Sequence, residues 1–155
     1  MSAKTLLIVG HVPSPNTQAL RDAVERGACS LEAEGITVRA LNPFETGPDD
    51  VLAASAIVLG TTENLGYMSG AMKDFFDRCY YPVLEVKQGL PYALYIRAGL
   101  DGTGTRRGIE TITTGLRWRA VNEPVLLKGE WQEGFVGEVE ELGMLMAAGL
   151  EAGVF

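Results

Sequence analysis

Residues 5–18 read TLLIVGHVPSPNTQ, an apolar run that stops abruptly at a stretch of turn-forming residues. A continuous apolar run without alternation is typical of a parallel strand that is buried on both faces of its sheet. Gly10, Asn16 and the two prolines then break the strand, because these residue types favour turns. The segment therefore predicts a buried first strand, a loop and the start of a helix.

The same order of strand and helix continues to the end of the chain. Further strands are predicted at residues 37–41, 56–61, 91–97 and 121–127. Helices are predicted at residues 17–34, 49–54, 69–82, 105–117 and 132–149, with Gly35 as the C′ residue of the first. This pattern predicts an α/β fold, a three-layer doubly wound sheet of five parallel strands in the order 2-1-3-4-5. Residues 1–155 are predicted to form a single domain.

Composition excludes several classes of function. The formal net charge of −7 argues against nucleic-acid binding, which needs a basic surface. The N-terminal apolar run is too short for a signal peptide, and no run approaches a membrane span, so a cytoplasmic protein is predicted. With one histidine and no CxxC motif, a metal site is not expected. Cys29 and Cys79 lie on the apolar sides of predicted helices, and both are predicted to be buried.

The predicted strand order also predicts where a ligand binds. In such a sheet the crevice lies beyond the carboxyl ends of the strands, at the switch point between the first and third strands. The first loop to reach this edge, residues 11–18, leads into a helix, and a helix N-terminus offers unpaired N–H groups to a phosphate. Its candidate phosphate ligands are Ser14, Asn16, Thr17 and Gln18. The alternative is that Ser14 or Asn16 only caps the helix.

Two further loops reach the same edge. In the second, residues 61–70, Gly66 lets backbone approach a ligand and Tyr67 offers a ring for stacking, or an aromatic side chain at a protein interface. The third, residues 98–104, carries three glycines whose backbone groups can face a heterocycle, or that only make the loop flexible. The candidate ligand-binding residues are Thr61, Thr62, Glu63, Asn64, Leu65, Gly66 and Tyr67 in the second loop, and Ala98, Gly99, Leu100 and Gly104 in the third.

Titratable groups near the predicted crevice are few. His11 follows the first strand, where an imidazole serves either in proton transfer or, more often, in hydrogen bonds of the loop. Arg97, Arg106 and Arg107 form a basic cluster that either attracts the phosphates of a nucleotide or is a solvated helix face, and the second reading is slightly favoured.

The segment from Gly60 to Arg78, GTTENLGYMSGAMKDFFDR, resembles the flavodoxin-like superfamily, in particular the small NAD(P)H-dependent FMN reductases and their flavodoxin-family relatives. The likeness rests on a small-residue loop followed by Ser-Gly, a lysine, an apolar helix turn and Asp-Arg. The residues that carry it are Ser69, Gly70, Lys73, Phe75, Phe76, Asp77 and Arg78. The first loop is similar to the family's phosphate loop, and residues 99–104 are similar to its third flavin-contacting loop.

This resemblance implies bound FMN, with its phosphate at residues 14–18 and its ring between the other two loops. The implied enzyme passes hydride or electrons from NAD(P)H to a quinone, a free flavin or a similar acceptor, with no catalytic side chain required. The resemblance also implies a homo-oligomer, since a second subunit often completes the nucleotide pocket. Two alternatives stay open: a flavodoxin-type electron carrier, and a flavin-free binding protein, which Thr62 and Asn64 favour because many relatives carry Pro and Tyr there.

Overall fold

The computed structural model describes residues 3–155 and shows one parallel sheet with helices against both faces. The strands are β1 (Lys4–Gly10), β2 (Ile36–Leu41), β3 (Ala56–Asn64), β4 (Tyr67–Met68), β5 (Pro91–Ala98), β6 (Arg119–Ala120) and β7 (Val125–Lys128). The helices are α1 (Pro15–Ser30), α2 (Pro48–Leu52), α3 (Gly70–Val83), α4 (Thr103–Leu116) and α5 (Gly134–Ala152). Among these residues, no helix is both long enough and apolar enough to cross a membrane.

The strand order confirms the predicted topology. β2, β1, β3 and β5 lie side by side in parallel, and the fifth position beside β5 is shared by β6 and β7. The single fifth strand predicted at 121–127 is wrong, because β6 pairs with the start of β5 and β7 with its end. The segment between β6 and β7 contains Pro124, which has no N–H group to donate to a neighbouring strand.

Alternating side chains of each strand supply two separate cores. On one face, Leu6, Ile8 and Tyr95 pack with α1 and α5. On the other face, Leu7, Val9 and their neighbours pack with α2, α3 and α4. The buried residues are Met72, Phe75, Phe76 and Cys79 in α3, and Phe135, Val139, Leu142, Met146 and Leu150 in α5.

The first and last helices touch through their backbones. A Cβ atom added to Gly27 of α1 would collide with the carbonyl of Glu140, and one added to Gly143 of α5 would collide with the carbonyl of Val24. The Lys4 ammonium donates to the carbonyl of Leu150 at 2.8 Å, which ties the first strand to the end of α5. Glycine therefore sets how closely α1 and α5 approach.

Four local predictions are wrong. Helix α1 ends at Ser30 rather than Glu34, because Glu32 takes a left-handed conformation with φ 47°. Gly35 is consequently not a helix C′ residue; it precedes β2, and its carbonyl accepts from the Lys4 N–H at 2.7 Å. Cys29 is exposed, since it follows Ala28 on α1 and lies off the buried face, whereas Cys79 is buried as predicted. Pro82 lies inside α3, which continues to Val83.

Candidate functional site

The first loop forms the N-terminal cap of α1. The Ser14 hydroxyl accepts from the Thr17 N–H at 3.2 Å, and the Thr17 hydroxyl accepts from the Ser14 N–H at 3.0 Å. Two of the predicted phosphate ligands are thus paired with each other in a capping box. Gln18 donates to Asp22 at 2.8 Å, one turn further along the helix, and Asn16 is exposed.

This loop has a small set of free backbone donors. Pro13 and Pro15 have no N–H group, and the His11 N–H donates to the carbonyl of Gly60 at 3.0 Å, which joins the loop to β3. Within residues 3–155, the N–H groups of Val12 and Asn16 have no partner. These two amides, together with the dipole at the start of α1, are what the loop offers to an anion.

Beneath the first loop lies a cluster of polar groups that sequence reasoning missed. The Tyr95 hydroxyl and the Arg21 Nε are both buried, and neither has a partner among the described residues. Both flank Gly10, where an added Cβ would lie 2.8 Å from the Tyr95 Oη and 2.9 Å from the Arg21 Cδ. The guanidinium also donates to the carbonyl of Gly10 at 3.3 Å. Only the position of Arg21, one helix turn beyond Thr17, signalled in the sequence that a cation lies near this loop.

His11 lies at the same edge, and its buried Nδ1 has no hydrogen-bond partner among residues 3–155. Burial lowers the pKa of this imidazole below its ordinary value of 6.5, so the ring is mostly neutral at pH 7.

The second loop, predicted at residues 61–70, contains a β-hairpin. β3 runs on to Asn64 and pairs antiparallel with β4. The turn residues Leu65 and Gly66 have φ of 52° and 78°, and two positive φ values match a two-residue turn of type I′. At the base of the hairpin, the Ser69 N–H donates to the Thr61 hydroxyl at 3.0 Å. The hairpin is thereby fixed to the start of α3, which Ser69 caps.

The tip and flank of the hairpin carry its apolar side chains. Leu65 is fully exposed at the tip. The Tyr67 ring lies against α4 at Gly108, where an added Cβ would collide with it. Thr62 donates to the side-chain oxygen of Asn64 at 2.8 Å, so these two residues bond within the hairpin.

The second and third loops are bridged by one carboxylate. The two oxygens of Glu63 accept from the N–H groups of Leu100 and Gly102, each at 2.8 Å. The backbones also touch, because a Cβ on Gly104 would collide with the carbonyl of Gly66. The structure therefore brings the hairpin and the third loop into direct contact, and Glu63 holds two of the backbone donors of that loop.

The rest of the third loop is an ordered turn into α4. Gly102 precedes the helix with φ of 71°. The Thr103 N–H donates to the Asp101 carboxylate at 3.0 Å, and this bond lowers the pKa of Asp101. Ala98 is buried at the end of β5, whereas Gly99 and Leu100 are exposed.

The sequence and the structure were both compared with those of known proteins. No family model matches the chain. The chain is 36% identical to a flavodoxin of Aquifex aeolicus over 72 aligned residues. These residues make up 46% of this chain and 38% of that flavodoxin. The aligned segment thus spans well under half of the relative. An archaeal flavodoxin structure superposes with a TM-score of 0.79 at 20% identity, covering 95% of this chain and 99% of that one.

The chain has a flavodoxin-like fold. Megasphaera elsdenii flavodoxin superposes with a TM-score of 0.74 at 19% identity, over 92% of this chain and 98% of that one. An oxidoreductase of Corynebacterium diphtheriae superposes with a TM-score of 0.67 at 16% identity, over 98% and 97% of the two chains. The resemblance noted in the sequence is therefore confirmed at the level of the fold.

In this flavodoxin-like protein the three arginines near the crevice have different roles. Arg97 donates to the carbonyls of Ala98 and Leu127 and lies over the rings of Trp131 and Phe135, so it is a structural residue. Arg106 pairs with Glu110 and Glu123. Arg107 has no ion pair within the described part of the chain.

Proposed function

We propose that the protein binds FMN at the carboxyl edge of its sheet and is an oxidoreductase that passes electrons from NAD(P)H to a quinone, a flavin or a similar acceptor. The observation that carries this proposal is the meeting of three loops at the switch point between β1 and β3, where flavodoxin holds FMN. A cytoplasmic location belongs to the proposal, because pyridine nucleotides are available in that compartment.

The first loop and Arg21 suit the phosphate of FMN. The free N–H groups of Val12 and Asn16 and the start of α1 supply neutral donors, as phosphate sites at helix N-termini do. The unpartnered Nε of Arg21 adds a cation beneath the loop. Ser14, Thr17 and Gln18 would act mainly by holding the loop in shape, because their side chains already bond within α1 or its cap.

The second and third loops suit the ring of FMN, provided that they separate. Leu65 and Leu100 are large apolar side chains left exposed on the facing loops, and they could cover a flat apolar ring. The Leu100 and Gly102 N–H groups match acceptors at the edge of a flavin, but Glu63 occupies them in this conformation. Binding of the ring therefore requires the carboxylate of Glu63 to release these amides.

The chain's own residues would orient the cofactor and exclude water. FMN, when bound, supplies the hydride and electron chemistry, so the protein needs no side-chain acid or base for the transfer itself. Backbone amides of the third loop would fix the ring edge, and the hairpin would cover one side of it.

An electron carrier of the flavodoxin type is the second candidate function. The net charge of −7 favours it, because an acidic surface suits docking on basic redox partners. The likeness to proteins named flavodoxin favours it as well. The carrier and the reductase differ in one measurable property, direct oxidation of NAD(P)H.

A homo-oligomer forms part of the reductase proposal. Met144 and Leu145 of α5 are large apolar residues that remain 38% and 43% exposed, next to the buried face of that helix. Phe155, in contrast, packs against the core beside Gly149, so it is not part of this exposed surface. Sedimentation of the purified protein measures the oligomeric state.

The test of the proposed function has two stages. Flavin absorbance and quenching of FMN fluorescence are measured first, and we expect saturable binding of one FMN per chain. NADH and NADPH are then supplied to the FMN-loaded protein with quinone or free flavin as acceptor. Oxidation of either nucleotide supports the reductase, binding without oxidation supports the carrier, and an absence of FMN binding rejects both.

A further inference from the structure

A second cavity lies beside the crevice, on the face of the sheet covered by α3 and α4. Its volume is about 430 Å³, within the range of small-molecule sites. The hairpin, the first turns of α3 and one side of α4 form its walls. The lining residues are Gly66, Tyr67, Lys73, Gly104, Arg107, Gly108, Thr111 and Ile112. Because Gly66 and Gly104 belong to the second and third loops, the cavity adjoins the crevice at their contact.

The charge of this cavity is opposite to that of the whole chain. Its lining has two cations and no carboxylate, in a protein whose net charge is −7. The Lys73 ammonium pairs with Asp77 outside the lining, so Arg107 supplies the uncompensated positive charge of the cavity. Arg107 forms no ion pair among residues 3–155, although its neighbour Arg106 pairs with two glutamates. An unpaired guanidinium next to an ammonium favours an anionic ligand.

The apolar wall of the cavity suits a flat ring. Tyr67 rests on α4 at Gly108, which has no side chain to push the ring away, and 40% of Tyr67 remains exposed. Ile112 and the glycine backbone complete this wall. An aromatic ring, an apolar side chain and two cations around a few hundred cubic ångströms match a ligand that has a planar base and a phosphate.

We propose that this cavity binds a nucleoside phosphate, with its base against Tyr67 and its phosphate between Lys73 and Arg107. The site adjoins the proposed FMN crevice and shares Gly66, Tyr67 and Gly104 with its loops. Only the assignment of its ligand as the hydride donor rests on the proposed function. A free nucleotide such as ADP and one half of a pyridine dinucleotide present the same chemistry to the cavity.

The test compares two neighbouring arginines of α4. Full-length protein saturated with FMN, so that the crevice is filled, is titrated calorimetrically with ADP and separately with NADPH. Arg107→Gln removes the unpaired cation, and we expect it to weaken binding about tenfold or more, as the loss of a charge-assisted bond does. Arg106→Gln removes an equal charge one position away, and we expect less than about a twofold change, because this side chain is paired with glutamates.

The outcomes of these titrations distinguish the two possible ligands, and they distinguish failure of this proposal from failure of the proposed function. Binding of both ligands identifies a general nucleoside-phosphate site, and binding of NADPH alone identifies the dinucleotide as its ligand. Either result supports the proposal if Arg107→Gln weakens the binding. If neither ligand binds, or if both variants weaken binding equally, the proposal is wrong. FMN binding by each variant is measured in parallel by fluorescence quenching. A chain that ignores FMN but binds ADP would reject the proposed function and leave the second site standing.

Discussion

Tyr95 shows how a single buried hydroxyl can affect stability at the crevice. It lies on β5 under Gly10 and Gly60, and its hydroxyl has no partner within residues 3–155. A buried hydroxyl without a hydrogen bond costs about 1–3 kcal/mol. We expect Tyr95→Phe to raise the free energy of unfolding by about 1 kcal/mol in urea denaturation.

Tyr92 provides the matched control on the same strand. Its hydroxyl is also buried but bonds the Thr113 hydroxyl at 3.0 Å, so Tyr92→Phe should lower the free energy of unfolding by about 1 kcal/mol. A loss of stability in Tyr95→Phe as well would show that a water or a ligand bonds the Tyr95 hydroxyl in solution.

Glu63 controls access to the amides of the third loop. Glutamine has the same size but only one acceptor oxygen, so Glu63→Gln releases the Leu100 or the Gly102 N–H. If the ring of FMN enters between the hairpin and the third loop, weaker bonding by residue 63 lowers the free energy needed to separate these two loops. We expect the FMN Kd of this variant to fall about three- to tenfold, measured by fluorescence quenching.

The exposed Glu85 provides a control variant for the loss of one negative charge. Glu85→Gln should leave the FMN Kd within about twofold, because it lies after α3 and away from the three loops. Weaker FMN binding in Glu63→Gln would mean that the carboxylate contacts the ligand instead of competing with it.

Among the elements, the hairpin and α4 act as one unit because their backbones touch. Gly104→Ala would place a Cβ against the carbonyl of Gly66 and force the hairpin away from α4. We expect the Glu63 bridge to break, so that the amides of Leu100 and Gly102 exchange hydrogen at least about tenfold faster by NMR.

A second Gly→Ala variant in the same region serves as a control for the general loss of backbone flexibility. Gly99 has open space around its Cα and no positive φ, so Gly99→Ala should leave these exchange rates unchanged. Unchanged rates in Gly104→Ala would contradict the close contact between hairpin and helix.

Sequence reasoning worked best where burial follows the period of one element. The apolar runs of β1, β3 and β5 and the inward positions of α3 and α5 were predictable, because a face that meets a core must be apolar along its length. The split fifth strand was missed, although Pro124 marked it, since an apolar run alone does not show where a ladder breaks. Cys29 was misplaced because helical faces shift by 100° per residue, so one position changes burial.

The candidate site was predictable in its loops but not in its bonds. Glycines and polar residues marked which three segments reach the crevice. The bridge from Glu63 to Leu100 and Gly102 joins positions nearly forty residues apart, and no local pattern encodes a bond from a side chain to a distant backbone. The buried Arg21 and Tyr95 were missed for the same reason, because their meeting depends on how α1 crosses the sheet.

The whole molecule should lose stability in alkali. Burial raises the pKa of the Cys79 thiol from 9.0 to about 11, and burial raises the pKa of the Tyr95 phenol as well. Since the unfolded chain releases these protons at a lower pH than the folded chain, their contribution is complete below about pH 9 and declines as the pH rises toward 11. We expect a loss on the order of 2 kcal/mol between pH 8 and pH 10.5 in urea denaturation.

Cys79→Ala removes one of the two groups and should flatten this pH profile, whatever its effect on stability at pH 7. An equally steep decline in that variant would place the cause in other titrating groups.

The contact between α1 and α5 has a consequence for synthesis on the ribosome. The buried face of α1 is translated well before Glu140 and Gly143 of α5, which its backbone meets. Until α5 has left the ribosome, it cannot cover Leu20 and Val24. The nascent chain therefore carries an uncovered apolar surface while the residues between the two helices are translated, and a chaperone that shields such surfaces should raise its yield.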